Sequence, residues 1–228
     1  MMKPKETLSG WMQVMRPPLL ILMLACGFLG GCDSGIFAAK RDEARLEWLD
    51  RSIMQGNYEA ALRESKSYTT DFPEDGEGWC LRGWAHAKVD ELGEADACFD
   101  KALALDSEMD NAYVGRGVVC RKKGDLAGAR AAYAEAIRIT PENAEAYSSL
   151  MVIELLEGNH QKAADYGEEA WALRKDLASI PANLAIVYHY LGEEAKKQIY
   201  YDEARHLNYH SMDAVDEIFA GTRVLEQP

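Results

Sequence analysis

Basic residues are scarce in this sequence relative to acidic ones. The 228 residues include 25 Lys and Arg against 38 Asp and Glu, which gives a formal net charge of −13. Nucleic-acid binding depends on Lys and Arg side chains that neutralise phosphates, so this balance argues against a nucleic-acid partner. With 48% hydrophobic and 28% charged residues, the composition indicates a folded chain with a solvated acidic surface.

A hydrophobic run long enough to cross a membrane is lacking at the N-terminus. The apolar stretch there, residues 19–30, is about 12 residues long, whereas a spanning helix needs about 20. Lys3, Lys5 and Arg16 precede this stretch. A basic start before a short apolar core is typical of a secretory signal peptide, so we expect export rather than a transmembrane helix.

The apolar run ends at residues 29–32, Leu-Gly-Gly-Cys, which resemble the lipobox of bacterial lipoproteins. The resemblance implies that residues 1–31 are a lipoprotein signal peptide, that Cys32 carries acyl chains such as palmitate, and that residues 32–41 are a short linker. Buried acyl chains contribute about 0.8 kcal/mol per methylene to membrane anchoring. The alternative is an ordinary cleaved signal with an incidental cysteine. The anchored chain would face the periplasm from either membrane of the envelope, and Asp33 resembles a signal for the inner one.

Motifs for catalysis and for cofactors are absent too. The sequence has no Gly-rich phosphate loop, no zinc-type cysteine pairing and no nucleophile motif, so neither an enzyme nor a cofactor is indicated. His206 and His210 have a spacing that can hold a metal, but no third ligand accompanies them. Cys98 and Cys120 are expected at similar heights on neighbouring helices, which leaves open either a disulfide or buried free thiols.

The sequence does contain an internal period. Gly124, Gly158 and Gly192 are 34 residues apart, and Gly56 stands two periods before Gly124. The missing member of the series falls at Asp90. Such a period is typical of stacked helical hairpins, which cannot bury their apolar faces alone. We expect the glycines to adopt the left-handed conformation that ends the first helix of each hairpin.

Other residues recur with the same period and resemble the tetratricopeptide repeat. The clearest unit carries Tyr113, Gly117, Ala129, Tyr133, Ala136 and Pro141. The resemblance implies an all-α fold, a helical solenoid of about five helix-turn-helix units with a C-terminal capping helix. The predicted units are residues 42–75, 76–109, 110–143, 144–177 and 178–211, and residues 211–228 are the capping helix and tail.

The period also predicts where helices pack closely. Small residues are expected to let the two helices of a hairpin approach each other, at Gly83, Gly117 and Ala185. Aromatic residues are expected to fill the seam toward the next unit, at Phe99, Tyr133 and Tyr201. Glu154 is predicted to face the core, where a buried carboxylate needs a partner.

In tetratricopeptide solenoids the first helix of each unit lines the concave side. The residues predicted to line it here combine apolar side chains with three basic ones: Trp84, Lys88, Val114, Val118, Arg121, Lys122, Val152, Leu155, Ile186 and Tyr190. Such a groove favours an extended or helical protein segment with an apolar stripe and an acidic residue. The alternative is that the apolar residues serve internal packing, through strong curvature or under a lid formed by residues 33–41.

The expected function is that of a membrane-anchored periplasmic adaptor or scaffold that binds other proteins, with no small-molecule substrate. Lipoproteins of this build resemble assembly factors of type IV pili, of outer-membrane protein insertion and of peptidoglycan-hydrolase control, and the sequence does not choose among them. A structural spacer or a self-assembling array without a peptide groove is the alternative.

Overall fold

A computed structural model describes residues 41–225, and within that range all regular secondary structure is helical. The helices are α1 (Glu43–Met54), α2 (Tyr58–Asp71), α3 (Gly76–Lys88), α4 (Leu92–Leu105), α5 (Asp110–Lys122), α6 (Leu126–Ile139), α7 (Ala144–Leu156), α8 (His160–Leu173), α9 (Ser179–Leu191), α10 (Glu194–His206) and α11 (Met212–Phe219). The predicted all-α class is confirmed. The predicted signal peptide, Cys32 and the linker as far as residue 40 lie outside the described residues.

The first ten helices pair into five antiparallel hairpins, α1–α2 through α9–α10, and one hairpin falls in each predicted unit. Each second helix also packs on the first helix of the next hairpin. Helix α11 packs on α9 and covers the C-terminal end with Val215 and Ile218, which are buried. In the part of the chain that the structure describes, no helix combines the length and apolar character that a membrane crossing requires.

A left-handed residue ends the first helix of each hairpin. The four glycines of the period have φ between 72° and 80°, a region that penalises a side chain. Asp90, which stands where the period lacks its glycine, has φ 61°. Asp tolerates this region better than most residues, and the Asp90 carboxylate accepts a hydrogen bond from Lys122 Nζ. The turn geometry is therefore the same in all five hairpins despite the substitution.

A buried aromatic ring held between two glycines sets the spacing of the central helices. Phe99 of α4 is fully buried, and a Cβ added to Gly83 of α3 would lie 2.7 Å from its ring. A Cβ on Gly115 of α5 would overlap the same ring from the other side. Tyr133 of α6 packs on Gly117 of α5 in the same way. The predicted close contacts at Gly83 and Gly117 are therefore confirmed, and Gly115 adds a second one across the hairpin boundary.

The junction between the first two hairpins uses the same contact one helical turn away. Counted by the 34-residue period, Tyr68 lies three residues later in α2 than Phe99 lies in α4. Its partner Gly78 lies three residues earlier in α3 than Gly115 lies in α5, and a Cβ there would be 2.5 Å from the Tyr68 ring. Because α2 and α3 run in opposite directions, the two shifts cancel and the ring still meets a glycine.

In the fourth hairpin the large residue lies on the first helix and the glycine on the second, the reverse of the third hairpin. One period after Tyr133 stands Gly167 of α8, and one period after Gly117 stands Met151 of α7. A Cβ on Gly167 would lie 2.6 Å from Met151 Sδ and 2.5 Å from Leu184 Cδ2 of α9. The large side chain and the small one have exchanged helices, so the volume of the seam is conserved.

Glu154 of α7 is the one charged residue that the described chain buries, at 1% exposure. Its carboxylate accepts hydrogen bonds from Lys162 Nζ at 2.8 Å, Asn159 Nδ2 at 2.9 Å and Arg130 Nε at 3.1 Å. Burial alone would raise the pKa of Glu154, but these hydrogen bonds outweigh burial and hold the pKa below its ordinary value. The partners come from three different helices or turns, so the carboxylate ties the third hairpin to the fourth.

Replacing Gly115 by Ala should destabilise the chain, because the added methyl group collides with a ring that is packed on all sides. We expect a loss of about 1–3 kcal/mol in the free energy of unfolding. Gly93, an exposed helical glycine with no atom within 4 Å of its added Cβ, is the matched control. Gly93→Ala should stabilise the chain by about 0.5 kcal/mol through helix propensity. Urea unfolding followed by circular dichroism checks both, and equal stability of the two variants would refute the role given to Phe99.

Glu154→Gln should lower the free energy of unfolding at neutral pH and weaken the pH dependence of that free energy. The stabilisation by a carboxylate with a lowered folded-state pKa is complete above its unfolded pKa, about 4.3, and disappears as the pH falls through the folded value. At pH 7 we expect a loss of about 1–2 kcal/mol, discounted because Arg130 and Lys162 are partly exposed. Glu169→Gln, at an exposed site on α8, should follow the wild type in the same unfolding titration. Parallel curves for wild type and Glu154→Gln would contradict this prediction.

Candidate protein-binding groove

The first helices of the hairpins form the inner layer of the solenoid. Helix α1 contacts α3, α3 contacts α5 and α7 contacts α9, whereas no pair of second helices among the described residues does so to a comparable extent. The first helices therefore share one face of the stack, and the surface of this inner face consists of side chains from α1, α3, α5, α7 and α9. These are the helices that the sequence assigned to the concave side.

Three of the ten predicted groove residues lie inside the core. Val114 is 1% exposed, Leu155 4% and Ile186 5%, and each belongs to a cluster of buried apolar side chains. Side chains with so little accessible surface cannot contact a partner while the fold is intact. For these three positions the structure therefore matches the internal-packing interpretation, and they are not part of the groove surface.

Trp84 of α3 is the largest half-buried side chain on the inner face. Its indole Nε1 donates a 3.1 Å hydrogen bond to Asn111 Oδ1 of α5, and its ring meets Phe99 edge-on with centroids 5.8 Å apart. Lys88 Nζ lies 5.7 Å from the centre of the Trp84 ring. Val118 of α5 and Val152 of α7, each one 34-residue period further along, are also half-buried. The result is a partly accessible apolar stripe that crosses three hairpins.

Two predicted residues lie at the rim instead. Lys122 Nζ donates a 3.0 Å hydrogen bond to the Ala87 carbonyl at the end of α3, besides its bond to Asp90. Tyr190 stacks on His160, with ring centroids 4.9 Å apart, beside the turn between α7 and α8. Both residues connect a first helix to the turn of the preceding hairpin. We therefore treat Lys122 and Tyr190 as contacts between hairpins and not as part of the groove surface.

Arg121 has no acidic partner in the described chain. Its guanidinium is half-buried on α5 and lies near the hydroxyl of Tyr133, which reaches across from α6. That hydroxyl is buried and makes no hydrogen bond of normal geometry within residues 41–225, although Ser149 of α7 is also close. Burial raises the pKa of Tyr133, while Ser149 and Arg121 oppose the shift, so the phenol is neutral. In a chain with a surplus of acidic residues, an unpaired half-buried arginine is unusual.

Sequence reasoning missed the N-terminal end of the groove. A cavity of about 350 Å³ opens between α1, α3 and the start of α5, with Leu46, Leu81 and Met109 in its wall. Glu47 and Asp50 of α1 also line this cavity. Asp50 stands one period before Trp84, so the repeat itself could have placed it on the inner face.

The structure also places the candidate metal-binding and thiol residues. No group of three or more His, Cys, Asp and Glu side chains in that range is positioned to hold a metal ion, and this includes the region of His206 and His210. Cys80, Cys98 and Cys120 are free thiols. Burial, with a smaller contribution from Glu77, raises the pKa of Cys80 to about 12, so this thiol stays protonated at neutral pH.

Comparison with known proteins identifies the repeats. Residues 80–144 match the family description of the tetratricopeptide repeat. The mitochondrial import receptor subunit TOM70 of Homo sapiens is 30% identical over 118 residues, which is 51% of this chain but only 19% of the receptor subunit. The chain thus corresponds to a small part of that relative.

Two solved structures are similar over most of both chains. The pilF protein of Pseudomonas aeruginosa gives a TM-score of 0.68 at 18% identity and covers 79% of this chain and 83% of its own. A thermophilic TPR protein of Thermus thermophilus gives a TM-score of 0.66 at 20% identity, and the match covers 78% of this chain and 97% of that protein. At these identities the likeness establishes the fold alone, a tetratricopeptide-repeat solenoid.

Proposed function

We propose that this tetratricopeptide-repeat protein is a membrane-anchored adaptor of the bacterial cell envelope that binds a segment of a partner protein on its inner face. The observation that carries the proposal is the half-buried stripe of Trp84, Val118 and Val152, which lies beside two cations, Lys88 and Arg121, that have no ion pair within residues 41–225. Partly accessible apolar residues next to unpaired charges are suited to an amphipathic protein segment.

The stripe also has the chemistry of a recognition surface. Trp and Arg are the residue types that most often dominate protein–protein binding energies, and here Trp84 and Arg121 lie on adjacent inner helices. A binding role is further supported by the TOM70 relative, which is named as a receptor subunit. We propose no enzymatic activity and no cofactor.

Anchoring to the membrane is proposed from the sequence around Cys32, outside the described residues. The lipobox-like residues 29–32 and the short apolar run before them support export and acylation of Cys32. The chain would then face the periplasm, with its five hairpins presented at the membrane surface, in a role such as envelope, pilus or secretion assembly.

Photocrosslinking in cells tests the groove. A probe at Val118 on the inner face should give a covalent product with one envelope protein, and the product should be lost when Trp84→Ala is added. A probe at Ala131, exposed on the second helix α6, is the matched control and should not give the product. Equal products from both probes would contradict the groove. A covalent dimer of the chain with itself would support the self-assembling array instead.

Cys32→Ser tests the anchor. The variant should lose acyl label and leave the membrane fraction, because no lipid can be attached to serine at this site by thioether chemistry. Cys26→Ser is the matched control, since Cys26 lies inside the apolar run and its context resembles the lipobox poorly. It should retain both label and membrane association. Fractionation with labelled palmitate checks both, and a Cys32→Ser variant that stays labelled would overturn the assignment.

A further inference from the structure

The two ends of the groove carry opposite charge. Glu47 and Asp50 line the cavity next to α1, and within residues 41–225 neither has an ion-pair or hydrogen-bond partner. Two inner helices further along, Arg121 of α5 has no acidic partner in the same range. Asn111 lines the acidic cavity and also accepts the hydrogen bond from Trp84, so the cavity is continuous with the apolar stripe.

Arg121 is the accessible polar group at the α5 end. The Tyr133 hydroxyl lies beside Arg121 and Ser149 but is fully buried, so a bound segment can contact the guanidinium and not the hydroxyl. A carboxylate on the bound segment would supply the counter-charge that Arg121 lacks within residues 41–225.

The cavity at the other end suits a long basic side chain. Met109, which is half-buried, provides apolar surface for the methylene groups of Lys or Arg, and Glu47 and Asp50 provide the counter-charge. An acidic side chain would be repelled by these two exposed carboxylates, and a neutral one would leave them without a counter-charge.

From these observations we infer that the groove binds a segment with a basic residue at the α1 end and a side-chain carboxylate at the α5 end, so that charge fixes the direction of the bound segment. The inference rests on the proposed function, because it concerns the same groove. The carboxylate contacts Arg121, the apolar residues between the two charges cover Trp84, and the basic side chain pairs with Glu47 and Asp50.

Selection from a random peptide library tests this inference. The full chain, solubilised in mild detergent, is immobilised through its C-terminus, and each peptide is flanked by fixed linkers so that neither terminus is available. We expect selected peptides to carry a basic and an acidic residue in one fixed order. A peptide with the two charges exchanged should bind about ten-fold more weakly.

Variants then separate the two ends. Selection on Arg121→Gln should lose the acidic preference alone, and selection on Glu47→Gln combined with Asp50→Asn should lose the basic preference alone. Arg138→Gln, on an exposed arginine of α6, should change nothing.

Two failures can be told apart. If the selected peptides compete for the groove, as judged by loss of binding to Val118→Asp, but show no charge order, the inference is wrong and the proposed function survives. If no selected peptide is sensitive to Val118→Asp, the groove itself fails and the inference fails with it.

Discussion

The contact between a buried aromatic ring and a pair of glycines is the constraint on which the rest of this molecule depends. Phe99 fills the space between α3 and α5 because Gly83 and Gly115 have no side chains to occupy it. Adding a methyl group to either glycine would force the ring or the helices to move, and well-packed interiors resist both. The distance between consecutive inner helices, and with it the width of the groove, is therefore fixed by a side chain of the outer layer.

The same contact links the scaffold to the candidate site. Tyr133 packs on Gly117 as Phe99 packs on Gly83, so its ring performs the structural task. Its hydroxyl is fully buried and ends beside Arg121 on the inner helix. A packed ring whose hydroxyl meets Arg121 from beneath the surface can restrict the guanidinium without any loop. Such pre-organisation reduces the entropy lost on binding.

The period made the fold predictable, but not the accessibility of each groove residue. The recurring glycines and aromatics gave the hairpins, the left-handed turns and the close contacts at Gly83 and Gly117, because these depend on neighbours at a constant sequence offset. Whether a residue of the inner helices is buried depends on the curvature of the stack, which many small contacts set together. Val114 and Leu155 are buried for that reason, although Val118 and Val152 on the same helices remain partly accessible.

Exceptions to the period were equally hard to foresee. In the sequence, Gly167 and Met151 are two separate exceptions to the 34-residue pattern. Only their contact in three dimensions shows that the small residue makes room for the large one. Lys122 looked like a free cation of the groove until the structure placed it on Asp90 and the Ala87 carbonyl. The acidic wall from α1 could have been found, since Asp50 obeys the same period as Trp84.

The opposite charges at the two ends of the groove are far enough apart to act independently. Adjacent packed helices lie roughly 8–10 Å apart, so the carboxylates on α1 and the guanidinium on α5 are separated by roughly two such spacings. The Debye length at physiological salt is about 8 Å, and exposed charges further apart than this are largely screened from each other. The two ends of the groove therefore do not neutralise one another. A bound segment that excludes water would contact each end separately, so the order of its charges, and not their sum, would determine the fit.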